Sequence, residues 1–254
     1  MDFIGKVNAL ADAGLALVFP QACAVCGRSV EARADGVACA ACWQRTRVFG
    51  RGDLVCWKCG APARGVVPEE NRVDVRCRRC DDEHYTAARA CGAYEGALRA
   101  SVLALKREPH APARLARLML ETQRREPLVS ATRVVPVPLS NDRLRERGFN
   151  QAAVLAEALA RLARLPLDEG SLVRTSHAAR HRAGMDECAR RESVEGVFAV
   201  RRPRLVEGER VLLVDDVFTT GATASACAAA LTAAGARAVF VLTLARPAGQ
   251  HRGD

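Results

Sequence analysis

Apolar residues near the amino terminus, Phe3, Ile4, Val7, Leu10, Leu15, Leu17 and Val18, recur at roughly helical spacing with Asp2, Lys6 and Asp12 between them. This predicts an amphipathic helix over residues 1–20. Residues 21–82 hold few aliphatic runs, too few to build a core of their own. From about residue 88 to 125 helical spacing returns through Tyr94, Leu98, Val102, Leu103 and Leu105, then Leu115, Leu118, Met119 and Leu120. Pro109 and Pro112 divide it, so two connecting helices are expected within 83–127.

Beyond Pro127 short apolar runs alternate with helical patterns. Residues 133–137 read as a strand, and Asn150 as the cap of a helix running to about residue 164. Residues 172–173 and 196–200 read as short strands, 211–214 as a buried strand, 223–234 as a helix and 238–244 as a further strand. Gly235 is placed to follow the helix as its left-handed terminator. Strands alternating with helices imply an α/β fold with a parallel sheet over 128–254.

Composition adds little to this until the cysteines are considered. The basic residues are 35 Arg and 3 Lys, a bias that reads as genome composition rather than a specialised surface. The formal charge of +9 points to an anionic partner. Eight thiolates holding two Zn²⁺ would lower it to about +5. No unbroken apolar run with a basic leader precedes Pro20, and no stretch approaches the ~20 apolar residues of a membrane span. A cytoplasmic protein is therefore expected, in which cysteine pairs serve metal or redox chemistry before disulfides.

Eight of the eleven cysteines form four C-x₂-C pairs: Cys23/Cys26, Cys39/Cys42, Cys56/Cys59 and Cys77/Cys80. Each pair supplies half of a tetrahedral thiolate shell, so four pairs make two structural zinc sites. Spacing alone does not say which pairs share a metal. Gly27 and Gly60 directly follow the first and third pairs, giving a unit repeated about 33 residues apart, and glycine suits the tight turn of a metal knuckle. On that ground Cys23, Cys26, Cys39 and Cys42 are assigned to one zinc, and Cys56, Cys59, Cys77 and Cys80 to the other. Metal binding would contribute ~10–16 kcal/mol to folding a segment with little core. Cys91, Cys188 and Cys227 fall outside the pairs, and Cys227 reads as a small buried hydrophobe.

The other chemistry-bearing run is Val211-Leu-Leu-Val-Asp215-Asp216-Val-Phe-Thr219-Thr220-Gly221-Ala222-Thr223. A buried strand fixes the position of the residues beyond its carboxyl end, where open α/β sheets bind ligands. Asp215 and Asp216 place carboxylates there, suited to vicinal hydroxyls and to a nearby Mg²⁺. Thr219, Thr220, Gly221, Ala222 and Thr223 turn into a helix whose free N–H groups and hydroxyls can enclose a phosphate. Upstream, Arg143 and Arg147 lie between a strand end and the next helix in a stretch that resembles the pyrophosphate-loop region of amidophosphoribosyltransferase-like proteins, which implies that they neutralise a pyrophosphate. The polar stretch 174–192, with Arg174, His177, Arg180, His181 and Arg182, stands where type I phosphoribosyltransferases hold a mobile loop that closes over the ligand, and by that resemblance its positive charge suits closure over an anion.

The run 211–223 resembles the signature of type I phosphoribosyltransferases, which bind 5-phosphoribosyl-1-pyrophosphate (PRPP) and Mg²⁺. By that resemblance Asp215 and Asp216 hold the ribose hydroxyls, and Thr219 to Thr223 hold the 5-phosphate. The run Arg147-Gly-Phe-Asn-Gln151 resembles the ComF family, and the resemblance extends over nearly the whole chain: amino-terminal helix at 1–20, double zinc ribbon at 21–82, connecting helices or hood at 83–127 including Lys106, and phosphoribosyltransferase domain at 128–254. It implies a type I phosphoribosyltransferase fold with a small amino-terminal double zinc-ribbon module. Arg182 and Ser193 depart from the residues expected of ComF proteins, Gln and Asn, so no role is carried over to the loop.

ComF proteins are linked to competence, the uptake of DNA. The resemblance thus implies a PRPP-binding protein with competence-machinery proteins as partners. Two readings stay open. A nitrogen nucleophile displaces pyrophosphate from C1 of PRPP, with Mg²⁺ and arginine stabilising the departing charge and the acceptor not legible. Alternatively the chain is a non-catalytic PRPP or nucleotide sensor, or binds single-stranded DNA through ribbons and arginine-rich loops. With 4% aromatic residues, stacking platforms beyond Trp43 and Trp57 are few. A scaffold in which both modules serve protein contacts is the third option.

Overall fold

The computed structural model describes residues 21–175 and 196–247. The helix expected at 1–20, the loop residues His177, Arg180, His181, Arg182 and Ser193, and Cys188 lie outside the described residues.

The sheet has four parallel strands in the order β1 (Ala87–Ala93), β6 (Ala238–Arg246), β5 (Arg210–Val217) and β2 (Arg133–Pro136). Parallel neighbours need crossovers. After α1 (Ala40–Arg45) of the zinc module, these are supplied by α2 (Gly96–Leu105) and α3 (Ala113–Gln123) after β1, by α4 (Asn141–Arg147) and α5 (Gln151–Ala163) after β2, and by α6 (Ala222–Ala233) after β5. A separate antiparallel pair, β3 (Leu172–Arg174) and β4 (Phe198–Val200), packs by α6.

Both sheet faces are covered, which explains why β5 and β6 are continuously apolar. Leu212, Val214, Phe240 and Leu242 pack with Leu98, Leu105, Met119, Leu155 and Leu159 of α2, α3 and α5. Val211, Leu213, Val239 and Val241 pack with Cys227, Ala228 and Leu231 of α6. Asn150 caps α5 as expected, its side chain accepting from Ala152 N at 3.0 Å, and Gly235 has the left-handed φ of +91°.

Two segments differ from expectation. The stretch expected to be helical from residue 88 begins with the strand β1, an Ala-rich run without a β-branched residue. Its strand character comes from its neighbours: β6 pairs with one edge, and the zinc module covers the other. Phe49 N donates to Cys91 O at 2.8 Å, Ala93 N to Arg47 O at 2.9 Å, and Ala88 N to Lys58 O at 2.6 Å. Small side chains permit that approach, since a Cβ on Gly92 would collide with the Arg47 carbonyl. Residues 141–147, expected as a loop, form the short helix α4, which buries nothing. Among the described residues no helix is long and apolar enough to cross a membrane.

Candidate functional site

Strand β5 carries Asp215 and Asp216 to the carboxyl end of the sheet. Alternation along the strand sends them to opposite faces. Asp216 continues the Leu212–Val214 row and is buried, its Oδ2 4.0 Å from Lys106 Nζ at the end of α2. Asp215 continues the Val211–Leu213 row towards Cys227 of α6. One oxygen of each is held by the main chain: Asp215 Oδ1 accepts from Asp216 N, and Asp216 Oδ1 from Val217 N, both at 2.8 Å. Burial, and then the adjacent Asp216 carboxylate, push the Asp215 carboxyl well above its ordinary range.

The turn after the strand is shaped by Gly221. Its φ of +91° is left-handed, and an added Cβ would lie 2.8 Å from Phe218 Cζ, so both conformation and space demand glycine. Thr220 Oγ1 accepts from Ala222 N at 3.4 Å, and Thr219, Thr220 and Thr223 are exposed. The first turn of α6 leaves N–H groups without intrahelical acceptors. Chemically, the turn offers donors and hydroxyls to a phosphate, and the strand end offers carboxylate oxygens to hydroxyls or a hard cation.

Behind the turn stands the second cysteine set. The Phe218 ring meets Tyr85 edge to face at 5.9 Å and 81°, and the Arg246 guanidinium carbon lies 5.3 Å from the Phe218 centroid. Arg246 Nη1 donates to Cys59 O at 2.7 Å, and His84 N to Ser225 Oγ of α6 at 2.9 Å. Little of this bracing was legible beforehand, because the contacts of Tyr85 with Phe218, His84 with Ser225 and Cys59 with Arg246 each join residues more than 130 positions apart.

The cysteines gather as the glycine argument assigned them. The sulfurs of Cys23, Cys26, Cys39 and Cys42, and those of Cys56, Cys59, Cys77 and Cys80, each lie within 4.8 Å of one another. Close pairs are 3.7 Å for Cys26 and Cys39, 3.6 Å for Cys56 and Cys80, and 3.5 Å for Cys59 and Cys77. A tetrahedron with Zn–S bonds of ~2.3 Å has an edge of roughly 3.8 Å, so both shells fit zinc. Gly27 and Gly60 have φ of +76° and +67° and donate to Cys23 O and Cys56 O, each at 2.8 Å. Gly60 is also required by space, because a Cβ there would run into the Ala88 carbonyl of β1, whereas Gly27 faces open space.

The remaining candidates are more dispersed. Arg143 is exposed on α4, and Arg147 Nη1 donates to Gln151 Oε1 at 3.0 Å. Asn150 Nδ2 donates to Val137 O at 3.0 Å, tying this segment to the end of β2, the neighbour of β5. Arg174 ends β3 with its guanidinium 5.4 Å from the Phe198 centroid.

Comparison with known proteins follows this division of the chain. The double zinc ribbon domain family matches residues 14–81. The competence protein ComFC of Bacillus subtilis is 37% identical over 114 residues, a match that spans 44% of this chain and 44% of that one. The DNA utilization protein YhgH of Salmonella typhi is 30% identical over 233 residues, 88% of this chain and 89% of its own. The chain belongs to the ComF family. Among solved structures, glutamine phosphoribosylpyrophosphate amidotransferase from B. subtilis, complexed with ADP and GMP, is similar at 22% identity and a TM-score of 0.35 over 50% of this chain and 25% of that one.

Two unpaired cysteines of this ComF chain are fully buried. Cys227 lies in the α6 core as expected. Cys91 accepts a bond from Thr122 Oγ1 at 3.5 Å, and burial pushes its thiol up to about 12. Neither is placed for nucleophilic work. Lys106, part of the ComF resemblance without a role of its own, gains one from the fold: it is the cation beside Asp216.

Proposed function

We propose that this ComF chain binds PRPP, or a related ribose phosphate, at the β5–α6 turn with Mg²⁺, and acts in the handling of DNA during uptake. One observation carries the reading: paired carboxylates at the carboxyl edge of a parallel sheet are followed by a left-handed glycine that opens a helix. Asp215 and Asp216 take the ribose hydroxyls, and Thr219, Thr220, Gly221, Ala222 and Thr223 take the 5-phosphate on N–H groups and hydroxyls. Arg143, Arg147 and Arg174 are the candidates for the pyrophosphate. The Oδ2 atoms of Asp215 and Asp216, left over by the backbone bonds, are hard donors of the kind Mg²⁺ takes. The ion would supply charge neutralisation for pyrophosphate.

The setting in DNA uptake is supported by relatives that carry the names competence protein and DNA utilization protein. On this reading the chain works in the cytoplasm, with proteins of the competence machinery as partners. Attack of a nitrogen nucleophile on C1 would make it a transferase; binding without attack would make it a sensor.

Calorimetric titration with PRPP and Mg²⁺ tests the reading. Heat is expected for the wild type and none for Asp215→Asn/Asp216→Asn. A flat wild-type trace overturns PRPP recognition. Pyrophosphate release on adding candidate bases then separates transferase from sensor.

A further inference from the structure

The outer edge of β1 is covered twice, by residues 47–49 at its carboxyl half and by Lys58 at Ala88. Between these contacts residues 50–57 leave the strand. They enclose a cavity of about 450 Å³ over Arg89 and Ala90, closed on the far side by the end of α3. Arg51, Arg72, Arg89, Arg124 and Arg125 line it, against Asp53, Glu69 and Glu126. None of the five arginines pairs with a carboxylate among the described residues.

Three of the five are held by carbonyls instead: Arg72 by Arg51 O at 2.6 Å, Arg89 by Trp57 O at 2.8 Å and Arg125 by Phe49 O at 2.7 Å. Asp53 already accepts from Gly50 N at 2.6 Å and lies 3.8 Å from Arg47 Nη2, which is not part of the lining. Five guanidinium groups against three carboxylates, none paired with one, leave the lining net positive, and those fixed through one nitrogen keep their other nitrogens for phosphate. The rest of the lining is apolar. Val73 and Val129 are each 44% exposed, and Trp57 lies under the Arg89 guanidinium at 5.2 Å. A ligand that satisfies both halves joins a phosphate to a flat, apolar-faced ring, and the volume suits one of that size.

We infer that this cavity binds a nucleotide, its phosphate among Arg51, Arg124 and Arg125 and its base against Val73, Val129 and Trp57. The site is separate from the β5–α6 turn, two strand spacings or roughly 10 Å across the sheet, and does not depend on the reading of that turn. The nucleotide has two sources, a free mononucleotide or one residue of a single strand.

The test uses the full, zinc-loaded chain carrying Gly221→Ala with Asp215→Asn/Asp216→Asn, so that neither the phosphate turn nor the carboxylates of the β5–α6 site contribute. Calorimetry is run with dAMP, with inorganic phosphate and with an oligothymidylate of about ten residues. Expected are binding of dAMP, weaker binding of phosphate, and loss of dAMP affinity by about tenfold or more in Arg51→Glu/Arg124→Glu. Both arginines are exposed and make no contact that folding needs. Val129→Asn is the second variant, removing the apolar wall without adding charge and weakening dAMP but not phosphate. Tighter binding of the oligomer than of dAMP identifies a single strand as the source, and equal or weaker binding a free nucleotide. The inference is overturned if neither dAMP nor the oligomer binds, if phosphate binds as well as dAMP, or if the variants change nothing while zinc content and melting stay as in the parent.

Discussion

Arg246 Nη1 donates to the carbonyl of Cys59 at 2.7 Å, so the last residue of the central strand β6 grips a zinc knuckle. The same guanidinium covers Phe218, the ring against which Gly221 turns. Metal shell, arginine, ring and turn are thus one mechanical series, and the ribbon acts on the sheet as a brace. Replacing Arg246 by Ala removes a charge-assisted bond worth ~1.5–3 kcal/mol and a cation–π contact worth ~0.5–1 kcal/mol. Destabilisation of ~2–3 kcal/mol is expected in urea unfolding, with Arg246→Lys recovering only part of it because lysine lacks the planar fork. Ligand affinity at the β5–α6 turn should fall in step. A variant that loses stability but binds as tightly as wild type would separate the brace from the turn.

Gly221→Ala places a Cβ 2.8 Å from the Phe218 ring on a residue at φ +91°. Strain of ~1–3 kcal/mol is expected. Because α6 is long and well packed, the helix should survive while its amino-terminal turn shifts. Calorimetry should then show ribose-phosphate binding lost, with a melting temperature lowered by only a few degrees, roughly 2–4 °C per kcal/mol in a chain of this size. Wild-type affinity in Gly221→Ala would remove the turn from the site.

What could be read beforehand depended on how local its cause was. The β5 run, α6 and the cap at Asn150 are set by residues a few positions apart, and the zinc pairing was legible because glycine directly follows only the first and third cysteine pairs, marking a repeated unit. Strand β1 was not legible, since Ala87–Ala93 has no strand preference of its own and owes its conformation to β6 and to residues 47–49 and 58. Helix α4 was missed for the opposite reason: all seven residues are polar or exposed, so no periodicity marks it. The closeness of Lys106 to Asp216, and of Arg89 to Arg125, is a product of packing between distant segments.

The elevated carboxyl of Asp215 makes a prediction about stability. Its folded proton affinity exceeds the unfolded one, so the folded state binds more protons and stability falls as pH rises above the ordinary carboxylate range. Asparagine has the shape of the protonated acid and carries no such penalty. In metal-free buffer the melting temperature of Asp215→Asn should exceed that of wild type at pH 8, with the gap narrowing towards pH 5. Ligand affinity should move the other way, since the site gives up stability to hold a carboxylate. A constant gap across this range would show that the Asp215 carboxyl is not raised.

Zinc loading should release protons. Without metal, burial and the neighbouring thiols push Cys42 and Cys80 up to about 12, while the Cys59 thiol pulls Cys56 down to about 4. Each four-cysteine shell therefore begins with a mixture of thiol and thiolate. Zn²⁺ takes four thiolates, so binding must expel the remaining protons, and affinity must fall as pH falls. Metal analysis should give two Zn²⁺ per chain, and Cys59→Ser should leave about one, because the other shell draws on no residue of the second set. Acidification below about pH 6, or a strong chelator, should empty both shells. The second knuckle would then let go of Arg246, so loss of zinc should weaken ligand binding at the β5–α6 turn, reversibly on adding metal. Titration of weakly buffered apoprotein with ZnCl₂, read by a pH indicator beside a zinc dye, measures protons and metal together. Zinc uptake without proton release would mean that the shells are already deprotonated, and a single zinc would refute the pairing.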